Sequence, residues 1–349
     1  MSKPDAKANH MRKDRIPELD YLRGFAAMSV VTFHYFFKGP TAGYVQSPTF
    51  GLFTDIAGYG YLGVNLFFII SGFVIAMSLR AVSALEFFKA RAIRLFPAMW
   101  VCATITAIAV ALLTPKSFPL SDWLASFTLV PEWFDYSGVD SAYWSLRIEV
   151  QFYVAVGIFI MLGRLRIGPL AIGVWLAASA ANLVFPIWRL DFLLCLTWAP
   201  YLCAGMLFYS WYAVGLSRPI FLGLLLSLLL SICYGYKSAI KDGYENPWIS
   251  CFIVIVFFAV FAVLCTRKNA VISTKLSQFL GGITYPLYLL HQVLGYAIFN
   301  AVAVVYGGLT QDEAVILLAC IFAGMVVTAY IVQRFIVRIV DQKLRTLMD

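Results

Sequence analysis

The sequence predicts an all-α, polytopic membrane protein with about ten transmembrane helices and both termini in the cytoplasm. Hydrophobic residues make up 62% of its 349 residues and charged residues only 13%, whereas a soluble domain has about 25% charged residues. The mean hydropathy is +0.83. A net charge of +8 would suggest nucleic-acid binding in a soluble protein, but here we attribute it to cytoplasmic loops and expect no nucleic-acid partner.

Ten apolar segments approach or exceed the roughly 20 residues that a helix needs to cross a bilayer. They cover residues 19–37, 58–79, 94–114, 144–163, 168–186, 190–210, 219–237, 247–266, 278–305 and 314–336. We expect one membrane domain over residues 16–338, preceded by a basic cytoplasmic tail (1–15) and followed by a short one (339–349).

The orientation follows from the distribution of lysine and arginine, which concentrate in cytoplasmic loops. If the N-terminus is cytoplasmic, 19 of these residues lie inside and five outside. The remaining two, Arg23 and Arg147, lie within predicted spans. This asymmetry favours an even number of spans, because one missed helix would reverse the assigned side of every later loop and remove the asymmetry there.

The first span carries three ionisable residues, Asp20, Arg23 and His34. Helical spacing places them on one stripe, and ionisable groups within a bilayer usually face a bundle interior or a water-filled cavity. One interpretation is that the stripe lines a functional site. The alternative is an Asp20–Arg23 pair near the cytoplasmic interface and a structural His34.

The segment KARAIRLFP contains Arg91 and Arg94, which are three residues apart and therefore share a helical face. Paired guanidinium groups bind phosphate oxygens in bidentate fashion, so the pair is a candidate phosphate clamp. Ordinary anchoring of a helix end at the cytoplasmic surface is the alternative. Pro97 can kink the helix beside the pair and open space for a ligand.

The segment WSLRIEVQFY begins the fourth span and contains Trp144, Ser145 and Glu149. Glu149 is expected at a depth similar to that of His34, where a carboxylate can orient an imidazole. An ion pair with Arg147 would compete with this role, but residues two apart on a helix point to different faces.

Two further segments contain polar residues inside apolar spans. They are GVNLFFIISGF, with Asn65 and Ser71, and TYPLYLLHQ, with Tyr285 and His291. These four residues either stabilise helix packing or line a site. The chain has only three histidines, too few for a multi-histidine zinc site, and we expect no metal. No GxSxG, HExxH or P-loop motif occurs.

Five segments, taken in order, resemble membrane acyltransferase family 3, which includes bacterial O-antigen, exopolysaccharide and Nod-factor O-acyltransferases. They are ELDYLRGFAAMSVVTFH, GVNLFFIISGFVI, FFKARAIRLFP, WSLRIEVQFY and TYPLYLLHQ. The resemblance extends from about residue 15 to 336. Arg23 and His34 match the family pattern of a basic residue, ten residues and a histidine, and Arg91 and Arg94 match its Arg-x-x-Arg pattern. Arg147 departs from the small or neutral residue that is common in relatives.

The resemblance implies a multi-pass enzyme of the bacterial inner membrane. It would transfer an acyl group, commonly acetyl, from cytoplasmic acyl-CoA to a hydroxyl of an extracytoplasmic glycan or glycolipid. Acyl-CoA would be a substrate, and no permanently bound cofactor is expected. Some relatives carry an additional SGNH-type domain, and here we expect transfer to finish within the membrane domain.

In this interpretation, Arg91 and Arg94 hold the coenzyme A phosphates, with Arg23 as an inner contact. His34 takes the proton of the acceptor hydroxyl or accepts the acyl group itself, and Glu149 orients it. Asp20, Asn65, Ser71, Trp144, Ser145, Tyr285 and His291 are candidate lining residues. The alternative function is a transporter or flippase for a lipid-linked sugar, in which polar groups line a pathway without chemistry. The oligomeric state stays open.

Overall fold

A computed structural model describes residues 16–45, 50–79, 83–162, 169–244, 246–267, 274–337 and 339–340. Its regular elements are helices, and these residues form no strand. The all-α prediction is therefore confirmed for the described part of the chain. The predicted basic tail and most of the predicted C-terminal tail lie outside these residues.

Fourteen helices of seven or more residues are numbered here in chain order within the described ranges. They are α1 Pro17–Phe33, α2 Leu52–Gly58, α3 Gly63–Ser78, α4 Ala84–Leu113, α5 Leu120–Ser126, α6 Trp144–Met161, α7 Pro169–Val184, α8 Trp188–Leu194, α9 Ala199–Val214, α10 Arg218–Lys241, α11 Pro247–Thr266, α12 Thr274–Leu290, α13 Val293–Val305 and α14 Gln311–Ile331. Two of them continue as π-helices, α1 over His34–Lys38 and α14 over Val332–Val337.

Seven helical segments in the described residues are long and apolar enough to cross a membrane, or eight if the bent pair α12 and α13 is one span. Two other predicted spans coincide with α1 and with Leu170–Val184, which is apolar but shorter. Many large apolar side chains are exposed on these helices, among them Leu229 and Phe252, as expected for a lipid-facing surface. The count of ten spans and the side of the termini remain predictions.

Two segments predicted as continuous helices are broken. The segment 190–210 divides into α8 and α9 around Cys195, whose φ of 52° is left-handed. The segment 278–305 bends by 62° between α12 and α13. Both segments are predominantly apolar, so hydropathy predicts one helix for each. The first break has a local contact, from the N–H of Thr197 to Asp191, and a distant one, from Gln151 to the carbonyl of Phe192. At the second break, the N–H of Val293 donates to the distant Asp140.

The centre of the bundle is formed by α1, which packs against α3 and α12, and by α3, which packs against α9. The α3–α9 contact depends on Gly72 and Gly205, because a Cβ on either would overlap the backbone of the facing helix. Small residues allow such close approach of membrane helices. Gly72 thus serves helix packing, whereas its neighbour Ser71 lines a cavity.

Candidate active site

A cavity of about 640 Å³ extends from the end of the bundle where α1, α4 and α12 begin and α14 ends to the first turns of α3 and α6. We name it the arginine cavity. Its lining residues with polar side chains are Asp20, Arg23, Ser71, Arg94, Ser145, Glu149, Gln278, Thr284, Tyr285, Tyr288 and Gln333. Seven of the residues predicted for the site from five separate sequence segments thus meet in one place: Asp20, Arg23, Ser71, Arg94, Ser145, Glu149 and Tyr285.

Arg23 lies in this cavity as one half of an ion pair. Its Nη1 donates to Oδ1 of Asp20 over 2.9 Å, within one turn of α1. Asp20 is itself seated against α12, because a Cβ at Gly281 would overlap its carboxyl group. The absence of a side chain at Gly281 therefore fixes where the Asp20–Arg23 pair can lie.

Arg91 and Arg94 have different surroundings although they share a helical face. Arg94 lines the arginine cavity. Arg91 donates to Oγ of Ser78 over 3.0 Å, and its guanidinium lies 5.4 Å and 5.6 Å from the ring centres of Phe87 and Tyr153. The two guanidinium groups are therefore not arranged as equivalent halves of one clamp, and Arg23 is the arginine that accompanies Arg94 in the cavity.

Glu149 also lines the arginine cavity. Its Oε1 accepts a hydrogen bond from the hydroxyl of Tyr153, one turn along α6. Arg147 points elsewhere: it donates to Oε1 of Gln151 over 2.8 Å and lies 4.4 Å from the ring centre of Phe192. The prediction that Arg147 and Glu149 face different directions is confirmed.

His34 contacts a second histidine. Its Nδ1 lies 3.1 Å from Nε2 of His291 and 2.9 Å from the carbonyl oxygen of Val30. His291 is fully buried and its own Nδ1 lies 2.7 Å from the carbonyl oxygen of Tyr288. The group that orients the His34 ring is thus His291, whereas Glu149, expected in that role, bonds to Tyr153.

These contacts assign the hydrogen positions on both rings. A carbonyl oxygen can only accept, so Nδ1 of each neutral histidine carries the hydrogen. Nε2 of His291 is then an acceptor for the Nδ1–H of His34. Nε2 of His34 consequently keeps its lone pair, as a general base requires. His34 is half-buried as a residue. It is not among the residues that line the arginine cavity, which it adjoins through His291 and Tyr288.

Tyr288 connects the histidine pair to the arginine cavity. Its ring lines the cavity and lies 5.5 Å from the ring of His291. Its hydroxyl donates to the carbonyl of Ala142 over 2.8 Å and lies 2.7 Å from Oγ of Ser145. Tyr288 was not among the predicted site residues, yet its position midway between Tyr285 and His291 places it on the same helical stripe. This three-residue spacing could have identified Tyr288 as a site residue from the sequence.

A second cavity, of about 620 Å³, lies at the opposite end of the bundle, where α1 and α10 end and α6 begins. We name it the tyrosine cavity. Its lining residues are Phe33, Phe37, Lys38, Tyr61, Asn65, Trp144, Thr197, Trp198, Tyr201, Tyr234, Gly235, Ser238, Asp242 and Tyr244. Asn65 and Trp144, also predicted as site residues, thus line this cavity and not the arginine cavity.

A family model described as "Acyltransferase domain" matches residues 16–334, which includes every candidate residue named above. No solved structure matches the chain.

Several curated proteins are similar over part of the chain. A putative peptidoglycan O-acetyltransferase, YrhL of Bacillus subtilis (strain 168), is 30% identical over 46% of this chain and 27% of its own length. The peptidoglycan O-acetyltransferase OatA of Listeria monocytogenes is 28% identical over 42% of this chain and 24% of its own length.

Nodulation protein 10 of Rhizobium leguminosarum bv. viciae is 26% identical over 47% of this chain and 51% of its own length. The matched regions thus span about half or less of these relatives. With nearly its whole described length covered by the family model, the chain belongs to acyltransferase family 3.

Proposed function

We propose that this protein is an integral-membrane O-acyltransferase of the bacterial inner membrane. It moves an acyl group, acetyl in the simplest case, from cytoplasmic acyl-CoA to a hydroxyl of an extracytoplasmic glycan. The observation that carries the proposal is a histidine pair, in which Nε2 of His34 keeps its lone pair, next to Tyr288 in the wall of a cavity that contains two arginines. Family membership supplies the reaction class.

The donor fits the arginine cavity. Coenzyme A carries several phosphate charges, and guanidinium groups bind phosphate through charge-assisted, often bidentate hydrogen bonds. Arg94 and Arg23 lie in the cavity wall and take this role, while Arg91 supports the wall through Ser78. The pantetheine arm then runs through the cavity toward Tyr288, beyond which the histidine pair lies.

The chemistry follows from the hydrogen positions on the histidines. Nε2 of His34 removes the proton of the acceptor hydroxyl as its oxygen attacks the thioester carbonyl. Collapse of the tetrahedral intermediate breaks the carbon–sulfur bond, and the coenzyme A thiolate takes the proton back from His34. The Nδ1–H of His34, held by Val30 and His291, keeps the ring in one orientation throughout.

The test is transfer by the purified protein in lipid nanodiscs. Acetyl-CoA and an oligosaccharide acceptor should yield free coenzyme A and a glycan heavier by one acetyl group, detected by mass spectrometry. A transporter or flippase would bind or move the glycan without changing its mass. Binding of acetyl-CoA without any release of coenzyme A would contradict the proposal.

A further inference from the structure

The tyrosine cavity has aromatic walls on two sides. One wall is a cluster in which the ring centre of Tyr244 lies 5.6 Å from that of Phe37 and 5.3 Å from that of Tyr61. The other wall contains Trp144 and Trp198, whose ring centres are 5.0 Å apart. The faces of such rings are electron-rich and attract the polarised C–H groups of a sugar ring.

Polar groups stand between these walls. Asn65, Thr197, Ser238 and Asp242 contribute an amide, two hydroxyls and a carboxylate to the lining. The two charged lining residues, Lys38 and Asp242, have opposite signs. Ring faces for stacking, hydrogen-bonding groups at the edges and no excess charge together suit a neutral sugar. The volume of about 620 Å³ is within the usual range for a small-molecule site.

The tyrosine cavity also lies next to the histidine pair. Phe33, in its wall, packs edge-on against the ring of His34, with ring centres 4.9 Å apart. A single layer of rings divides it from the arginine cavity: Phe68 lines the arginine cavity and lies 5.3 Å from Trp198, which lines the tyrosine cavity. A ligand in each cavity would therefore approach the same layer from opposite ends.

We infer that the tyrosine cavity is the acceptor subsite and that it takes a neutral pyranose unit, stacked on its aromatic walls, with one hydroxyl directed toward His34. This inference rests on the proposed function and names the substrate class for it. The hydroxyl loses its proton to His34 and its oxygen forms the ester bond, while coenzyme A leaves as the thiol.

The experiment changes the space in the cavity without touching the donor site. Ser238 lies in the cavity wall near the end of α10. We compare Ser238→Trp, which fills the cavity, with Ser238→Ala, which keeps the space. Leu229→Trp is the matched control, because Leu229 is on the same helix and 53% exposed on the outer surface. The probes are acetyl-CoA with a pentamer of N-acetylglucosamine or with maltopentaose.

We expect Ser238→Trp to raise the KM for the sugar about tenfold or more, the cost of displacing a stacked ring. Ser238→Ala keeps the space but removes one hydroxyl of the lining, so it should raise the KM less than Ser238→Trp does. Leu229→Trp should leave the KM unchanged, and all three variants should bind acetyl-CoA normally. Asp242→Trp, at an exposed position of the same cavity, should repeat the effect if Ser238→Trp is poorly folded.

Other results overturn the inference in distinguishable ways. An unchanged sugar KM in a folded Ser238→Trp protein places the acceptor elsewhere, with the proposed function intact. If coenzyme A is released but neither neutral sugar is acylated, the inferred substrate class is wrong, whereas the proposed use of acyl-CoA as donor stands. Loss of acetyl-CoA binding in Ser238→Trp and Asp242→Trp, but not in Leu229→Trp, shows that the cavity is not separate from the donor site. A wild-type protein that neither binds nor consumes acetyl-CoA refutes the proposed function itself.

Discussion

His34 and His291 differ in accessibility, and this difference predicts different roles. His34 is half-buried, and its Nε2 has no partner among the contacts described above, whereas His291 is fully buried and its Nε2 contacts Nδ1 of His34. His34 is therefore the candidate catalytic residue and His291 a positioning residue.

Replacing His34 should abolish most transfer. A positioned general base contributes typically 10²–10⁴-fold, so we expect His34→Ala to lose about that factor in kcat. Removing His291 should cost less, because Val30 still accepts from Nδ1 of His34. Rates from coenzyme A release in nanodiscs, with acetyl-CoA binding as a folding control, check this order. A His291→Ala protein that is less active than His34→Ala would contradict the assignment.

Arg94 and Arg91 are likewise expected to contribute differently to acyl-CoA binding. Arg94→Lys should raise the KM for acyl-CoA about tenfold, because losing one hydrogen bond to a charged group costs about 1.5 kcal/mol or more. Arg91→Lys should have a smaller effect, since Arg91 contacts Ser78 and two aromatic rings. Arg147→Lys is the matched control, because Arg147 is directed at Gln151 and Phe192. Equal effects of the three substitutions on the KM would indicate that Arg94 only anchors the end of its helix at the membrane surface.

At the scale of elements, the break between α12 and α13 is what presents His291 to His34. Asp140, just before α6, holds it: one carboxylate oxygen accepts from the backbone N–H of Val293 over 3.0 Å and the other from that of Ala142 over 2.8 Å. The first N–H groups of a helix have no partner within it, so one buried carboxylate serves two helix starts. Tyr35 adds a hydrogen bond to the carbonyl of His291 over 2.8 Å.

Asp140→Asn should therefore destabilise the break. An amide has one acceptor oxygen, so one of the two backbone N–H groups loses its partner, which costs about 1–3 kcal/mol when the group is buried. We expect a lower unfolding temperature in detergent and a reduced kcat. Asp135→Asn, an exposed change in the same loop, is the control. Equal unfolding temperatures for the two variants would show that Asp140 does not hold the helix start.

The contact of α1 with α12 gives a second prediction at this scale. An alanine at Gly281 would overlap the Asp20 carboxyl group, whereas one at Gly282 would only meet Cγ of Gln333 at 3.6 Å. Gly281→Ala should displace the Asp20–Arg23 pair and cost about 1–3 kcal/mol, as overpacking usually does. Weaker acetyl-CoA binding and a lower unfolding temperature than in Gly282→Ala would confirm this. Identical behaviour of the two variants would contradict it.

At the scale of the whole molecule, two cavities of similar size extend toward opposite ends of one bundle and meet near the first turns of α3 and α6, where aromatic rings divide them. This arrangement suits transfer of a small group between substrates that never share a compartment. If the N-terminus is cytoplasmic, as the lysine and arginine distribution predicts, the arginine cavity opens inside and the tyrosine cavity outside.

The sidedness of the reaction tests this arrangement. In sealed vesicles of known orientation, acetyl-CoA should be consumed only from the face of the arginine cavity, and acylated glycan should appear on the other face. Orientation is read from single cysteines placed at Glu86 and at Tyr136 in a chain without the seven native cysteines. Both sites labelling from one side would refute the topology. Donor and product on one face would refute transfer across the membrane.

The sequence alone determined the fold class and most of the candidate site. Apolar runs longer than a bilayer crossing leave helices as the only solution for these segments, and ionisable residues inside them, such as Arg23 and His34, mark a site because burial there is costly. Seven residues from separate segments do line one cavity.

Only the tertiary structure decided which groups meet. The chain is apolar on both sides of His291, so hydropathy does not predict the 62° bend that brings it to His34. The partner of Glu149, the different surroundings of Arg91 and Arg94, and the division of polar residues between two cavities likewise depend on which helices are neighbours. Periodicity specifies the face on which a side chain lies, but the facing residue is set by packing between segments far apart in the chain.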